Sequence, residues 1–240
     1  MARGVPRTGF HTARFIRVLA ERVDGEVAGS KQSFAERLGE WLDFKDAISL
    51  FAALNGGAAR PAGALGGEAL GEEVLGEELA RVHGALRESI LNPGRAAAKP
   101  PAADLPPSAD SAADFIPYHR YYLAHQRDMG AAIGVLRATA RTALAGRSAA
   151  LGRLAALDGV LEQALGARER SLLATVPGLL GKRFARLHQA QRLAPDDPEP
   201  WQAAFGRDLQ AVLLAELELR LLPVVGLMAA LGNELENWQR

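Results

Sequence analysis

The three tyrosines of the chain, Tyr118, Tyr121 and Tyr122, fall within one decapeptide, YHRYYLAHQR, beside His119, Arg120, His125 and Arg127. Rings interleaved with guanidinium groups could stack bases and contact phosphates. Helical spacing, however, separates the two sets. Tyr118, Tyr122 and His125 share a face with Met129, Ile133, Leu136 and Ala140, while Arg120, Arg127 and Arg141 lie roughly opposite. A packed face and a solvated face give the same pattern, and large rings most often serve a core. A second basic set, Lys182, Arg183 and Arg186, could meet phosphate or an acidic protein surface, or form a solvated face beside acidic neighbours. Arg120, Arg127, Arg141, Lys182, Arg183 and Arg186 are therefore the candidate partner-binding residues.

Other chemistries find little support. The five histidines, His11, His83, His119, His125 and His188, form neither H-E-x-x-H nor Glu-x-x-His, so no metal site is expected. The chain has no cysteine, which excludes disulfides, thiolate ligands and a cysteine nucleophile. Gly181-Lys182 lacks the spacing and following hydroxyl of a phosphate loop, and no G-x-S-x-G occurs. The adjacent carboxylates Glu72/Glu73, Glu77/Glu78 and Asp196/Asp197 read as exposed, whereas general acid catalysis needs a carboxyl raised by burial. Glu216 and Arg220, four apart, suit an internal pair better than a catalytic dyad. No nucleophile, acid/base and orienter emerge together, so no enzyme activity and no cofactor are expected.

The elements that carry these residues are helical. Of 240 residues 46 are Ala and 36 Leu, the strongest helix formers, and only 6% are aromatic. Apolar spacing predicts helices from His11 or Thr12 to Val23, from a Ser33/Glu36 capping box through Phe34, Leu38, Trp41 and Leu42, and from an Asp43/Asp46 cap with Ile48, Phe51 and Leu54 inward. Residues 56–67 read as a loose Gly/Ala loop. Leu75, Leu79, Val82, Leu86 and Ile90 mark a further helix, and residues 92–114, with five prolines, a flexible linker. Beyond it, Asp114 and Pro117 start a helix to about Ala145. A reversal at 146–148 leads, capped by Ser148, into an element that, if unbroken to Arg192, is ~44 residues long and kinked at Pro177. A final helix starts at Trp201 and is broken or bent at Pro223. The expected fold is all-α: a bundle or hairpin of long antiparallel helices over 115–240, with a smaller helical region over 1–91.

Charge sums to zero, 28 basic against 28 acidic residues, yet 117–192 carry +8 while 62–91 carry −4 and 193–240 carry −5. An acidic protein partner, or the acidic ends of the chain itself, would answer that block. A nucleic-acid ligand is less expected, because no reading module is recognisable and the isoelectric point is near 7.0. The longest apolar run, Leu221 to Leu231, falls short of the ~20 residues a membrane span needs. The Arg-rich start lacks a continuous apolar stretch, so a cytoplasmic protein is expected. The stretch 210–231 is apolar around most of its circumference. Such a helix is either central or in a subunit contact, which makes Leu209, Leu213, Leu217, Leu221, Val224 and Met228 the candidate self-association residues.

Several stretches (RTGFHTARFIRVLAE, SKQSFAERLGEWLDFKDAISLFAALN, YYLAHQRDM, RERSLLATVPGLLGKRF and FGRDLQAVLLAELELRLLP) resemble an uncharacterised proteobacterial family catalogued only as a domain of unknown function. The resemblance brings no catalytic residues. It implies a soluble component of an envelope-associated assembly, whose partners would be membrane-complex subunits. The expected function is a non-enzymatic interaction or scaffold protein. The alternative is a nucleic-acid-associated or regulatory protein using the Arg-rich face of 120–192.

Overall fold

The computed structural model describes residues 14–23, 34–55, 71–92, 114–194 and 200–238. Almost all of these lie in eight helices, and no strand occurs among them, so the fold is all-α. In chain order they are α1 (Arg14–Val23), α2 (Phe34–Trp41), α3 (Phe44–Asn55), α4 (Glu72–Leu91), α5 (Ile116–Ala145), α6 (Ala149–Leu173), α7 (Val176–Leu193) and α8 (Trp201–Trp238). The expected start at His11 or Thr12, the Ser33 cap, the 56–67 loop and the linker between Asn92 and Asp114 lie outside the described residues.

Local chemistry accounts for the helix ends. Asp43 and Asp46 cap α3 reciprocally: the Asp46 N–H donates to Asp43 Oδ1 at 2.8 Å and the Asp43 N–H to Asp46 Oδ2 at 3.2 Å. Asp114 Oδ1 accepts the Ile116 N–H at 2.9 Å, and Pro117 occupies the first turn of α5, where a missing N–H costs nothing. Ser148, in extended backbone, accepts the Leu151 N–H at 3.2 Å and caps α6. The last carbonyls of α4 have no partner within their own helix. The Ile90 carbonyl accepts from Gln210 Nε2 at 3.3 Å and from the Tyr121 hydroxyl at 3.4 Å, so this buried end is satisfied.

Three expectations are corrected. The element over 149–192 is two helices, not one kinked rod, with Ala174-Thr175 as a turn between α6 and α7. Thr175 folds back, its N–H and Oγ1 both donating to the Leu172 carbonyl at 3.1 and 2.7 Å. Pro177 then sits in the first turn of α7, the position where proline is tolerated. At Pro223, where a break or a bend is expected, the break does not occur: α8 continues through it, because Leu221, Val224, Leu227 and Leu231 on both sides are buried and the packing outweighs one lost backbone bond. The third correction concerns α3. Ile48, Phe51 and Leu54 face outward, and no residue of α3 is buried.

The helices form two compact units. The first takes α1, the C-terminal end of α4, the start of α5, α7 and the start of α8. Its core is aromatic, and α1 lies along α7. The second takes α2, α3, the rest of α4 and α5, α6 and the rest of α8; in it α3 lies along α6, and the core is aliphatic, with Leu75, Leu136, Leu144 and Leu231 nearly inaccessible. Each unit draws on chain from both sides of 92–114.

Candidate functional site

The tyrosine cluster is core. Tyr118, Tyr121 and Tyr122 are all buried, including Tyr121, which helical spacing left off the apolar face. Tyr118 packs edge-on to Phe205 at 5.1 Å and tilted on Phe184 at 5.5 Å, and Phe184 in turn meets Trp201 at 4.8 Å. Phe115 closes the cluster 5.5 Å from Phe184, over Gly181, where an added Cβ would come within 3.2 Å of the ring. His125 is buried with its ring 4.4 Å from that of Tyr121. Burial raises the Tyr118 hydroxyl above its ordinary value and pushes Tyr121 to about 12. None of these rings is open to a stacking base.

The carboxylates that matter are inside. Glu216, fully buried, accepts the Tyr122 hydroxyl, and Gln126 Nε2 lies 3.0 and 3.1 Å from its two oxygens. Asp208, also buried, accepts from Arg183 Nε at 2.9 Å and from Arg22 Nη1 at 3.1 Å, tying α7 and α1 to α8. Arg14 pairs with Glu218, and Arg186 donates to the Val23 carbonyl at 2.9 Å, so α1 is held at both ends. In the second unit Asp158 takes Arg137 through Nε and Nη2 at 2.9 and 2.7 Å and Arg141 at 2.9 Å; Glu162 takes Arg141 at 2.6 Å. Burial alone would raise the Asp158 carboxyl, but the hydrogen bonds and charges of Arg137 and Arg141 outweigh it and hold it below its ordinary value. These donors all come from the same chain, and the carboxylates serve as anchors between helices. Among the described residues no group of three or more His, Asp or Glu could hold a metal ion.

The six basic candidates accordingly divide. Arg141 and Arg183 are engaged with internal carboxylates, and Arg186 with a backbone carbonyl. Arg120, Arg127 and Lys182 are exposed. The Tyr118–Phe184 contact joins α5 to α7, the two helices that carry these three. Of the self-association candidates, Leu209, Leu213, Leu217, Leu221 and Val224 are buried by the packing of the chain itself, and Met228 is half-buried. Of the two roles open to such an apolar helix, α8 takes the internal one.

The open apolar surface lies elsewhere. On α3 the side that includes Leu50 and Ala53 is half-buried, while the opposite side exposes Phe44 by 81%, Ile48 by 54%, Phe51 by 68% and Leu54 by 58%. The larger side chains thus point away from the chain. An amphipathic helix normally buries its richer face, so a contiguous apolar stripe on the outward side is a candidate contact surface. The spacing of Phe44, Ile48, Phe51 and Leu54 was the available signal. Periodicity shows that a face is apolar but not whether the chain itself covers it. The stripe starts beside exposed Asp43 and Lys45, and nearby α2 is fixed by Arg168 of α6 lying 5.2 Å over the Trp41 ring.

No helix among the described residues is long and apolar enough to cross a membrane. No curated protein and no solved structure matches the chain. One family model does, over residues 1–233, and by that match the chain belongs to the family described as protein of unknown function, DUF3348.

Proposed function

We propose that the protein is a non-enzymatic helical interaction or scaffold protein, whose working surface is the outward face of α3. The exposed stripe of Phe44, Ile48, Phe51 and Leu54 carries this reading, because it is the apolar face of a defined helix and none of the described residues covers it. The internal use of Asp158, Asp208 and Glu216 supports a structural role for the charged interior. A cytoplasmic component of an envelope-associated assembly, with membrane-complex subunits as partners, is the setting we assign. It rests on what the sequence resemblance implies, and it needs no spanning helix, of which there is none among the described residues.

The test is affinity purification of the native protein with identification of what comes with it, beside the Phe51→Glu variant. A stoichiometric protein lost with the variant, and rebinding the native chain once purified, supports the reading. An identical set on both refutes it. The second reading, a nucleic-acid-associated protein, is supported by Arg120, Arg127 and Lys182 standing exposed. Titration with DNA and RNA at low salt tests it. Binding with a steep salt dependence, lost when these three become Ala, is the result it requires.

A further inference from the structure

We infer that the occupant of the α3 stripe is the α3 of a second copy of this chain, packed antiparallel about a two-fold axis near the midpoint between Ile48 and Phe51. The inference rests on the α3 surface proposed above and names what covers it. Three observations select a second copy.

The first is area. A fully exposed aromatic side chain presents ~150–250 Å². At the exposures found, the four side chains together leave on the order of 500 Å² open per copy. Two copies face to face would remove about 1,000 Å² of apolar surface, the lower bound of a specific interface before any flanking residue is counted.

The second is self-complementarity. The stripe runs ~15 Å along the helix from Phe44 to Leu54 at 1.5 Å per residue. Reversed about the point midway between Ile48 and Phe51, Ile48 of one copy meets Phe51 of the other and Phe44 falls one residue, ~1.5 Å along the axis, from Leu54, so the large apolar groups of the two stripes face each other. A C2 contact requires this of a single patch.

The third is charge. The N-terminal end of α3 holds Asp43, Lys45 and Asp46, and exposed Glu36 and Glu40 lie on α2. A parallel pair would bring the acidic ends together. An antiparallel pair separates them and sets Lys45 near the partner helix's carbonyl end, which carries partial negative charge. The same acidic end disfavours an anionic lipid surface as occupant, since membrane-binding amphipathic helices carry Lys and Arg beside their apolar face.

The experiment uses the full chain. Sedimentation velocity from micromolar to hundreds of micromolar is expected to show a monomer–dimer equilibrium. Ile48→Glu and Phe51→Glu, each with an unchanged circular dichroism spectrum, should weaken it by at least about a hundredfold. Because the chain has no cysteine, single substitutions report geometry directly. Ile48→Cys should cross-link to its own copy through a short bis-maleimide, whereas Ser49→Cys, exposed on the flank of the same helix, should not. A monomer throughout the range, a dimer indifferent to both Glu variants, or equal cross-linking at 48 and 49 overturns the inference. The broader reading fails on a different result: if Phe51→Glu retains every protein the native chain retains, the stripe is no partner surface, whatever the oligomeric state. A monomer that loses a foreign partner with Phe51→Glu sinks the second copy and leaves the interaction reading standing.

Discussion

Asp158→Asn is the most informative single change in the charged interior. It keeps the side-chain shape and removes the charge that two arginines share. Asp158 accepts three hydrogen bonds, from Arg137 Nε and Nη2 and from Arg141 Nη1, and its side chain is 12% exposed. A hydrogen bond to a charged group contributes ~1.5–3 kcal/mol, and removing one member of a buried ion pair costs ~3–5 kcal/mol. The loss here is smaller. Glu162 still holds Arg141 at 2.6 Å and approaches Arg137 at 3.5 Å, and the amide oxygen can still accept. The expected destabilisation is about 2–3 kcal/mol at neutral pH, read as a lower urea midpoint by circular dichroism with little change in slope. The pH dependence adds a second check. The folded-state pKa of Asp158 is depressed below its ordinary 3.8 by the two arginines acting against burial. A depressed carboxylate contributes stability above the unfolded value and loses it as pH falls through the folded value. The gap between native chain and variant should therefore be full above about pH 5 and close steadily in more acid solution. Glu162→Gln, at the more exposed end, should cost under ~1 kcal/mol. A variant that unfolds at the native midpoint at pH 7, or a gap undiminished at about pH 3, would refute the reasoning.

Other changes test the first unit. Asp208→Ala strands Arg183 and Arg22 and should cost about 3 kcal/mol, less if the half-exposed Arg22 rehydrates fully; urea unfolding measures it. Phe184→Ala empties the middle of the aromatic cluster and should cost ~3–5 kcal/mol, with a loss of near-ultraviolet dichroism from Trp201. Alkaline titration followed by tyrosinate absorbance should find Tyr121 ionising near 12 while the chain is folded. Because a raised value means the folded state keeps a proton that the unfolded state gives up, stability from this group is intact below pH 10 and falls above it.

Helix content and most helix starts were legible from composition and caps. Ser148, Asp114 and the Asp43/Asp46 box act over three residues or fewer, so their chemistry is written locally. The two prolines were not separable that way. Both interrupt a backbone ladder, but Pro177 comes two residues after a threonine that folds back on Leu172, whereas Pro223 lies among buried leucines and valines of a helix that continues past it. That difference lies in tertiary burial, which a periodic pattern does not contain. The arginine network carried a readable sign that spacing on one helix missed. Arg137 stands ten residues before Arg147 at the centre of the turn and Asp158 eleven after it, close to the mirrored register of an antiparallel helix pair. The stripe on α3 was read as apolar and assigned inward, since a single chain gives no sign that a face waits for another molecule.

If the outward face of α3 binds protein, altering that face must alter what the chain retains. The most direct measurement compares the proteins retained by the native chain and by Phe51→Glu from the native source, quantified against the bait, the two baits shown equally folded. At least one polypeptide, foreign or a second differently tagged copy, is expected to be held near stoichiometrically by the native chain and depleted at least about tenfold by the variant. Equal retention by both would contradict it.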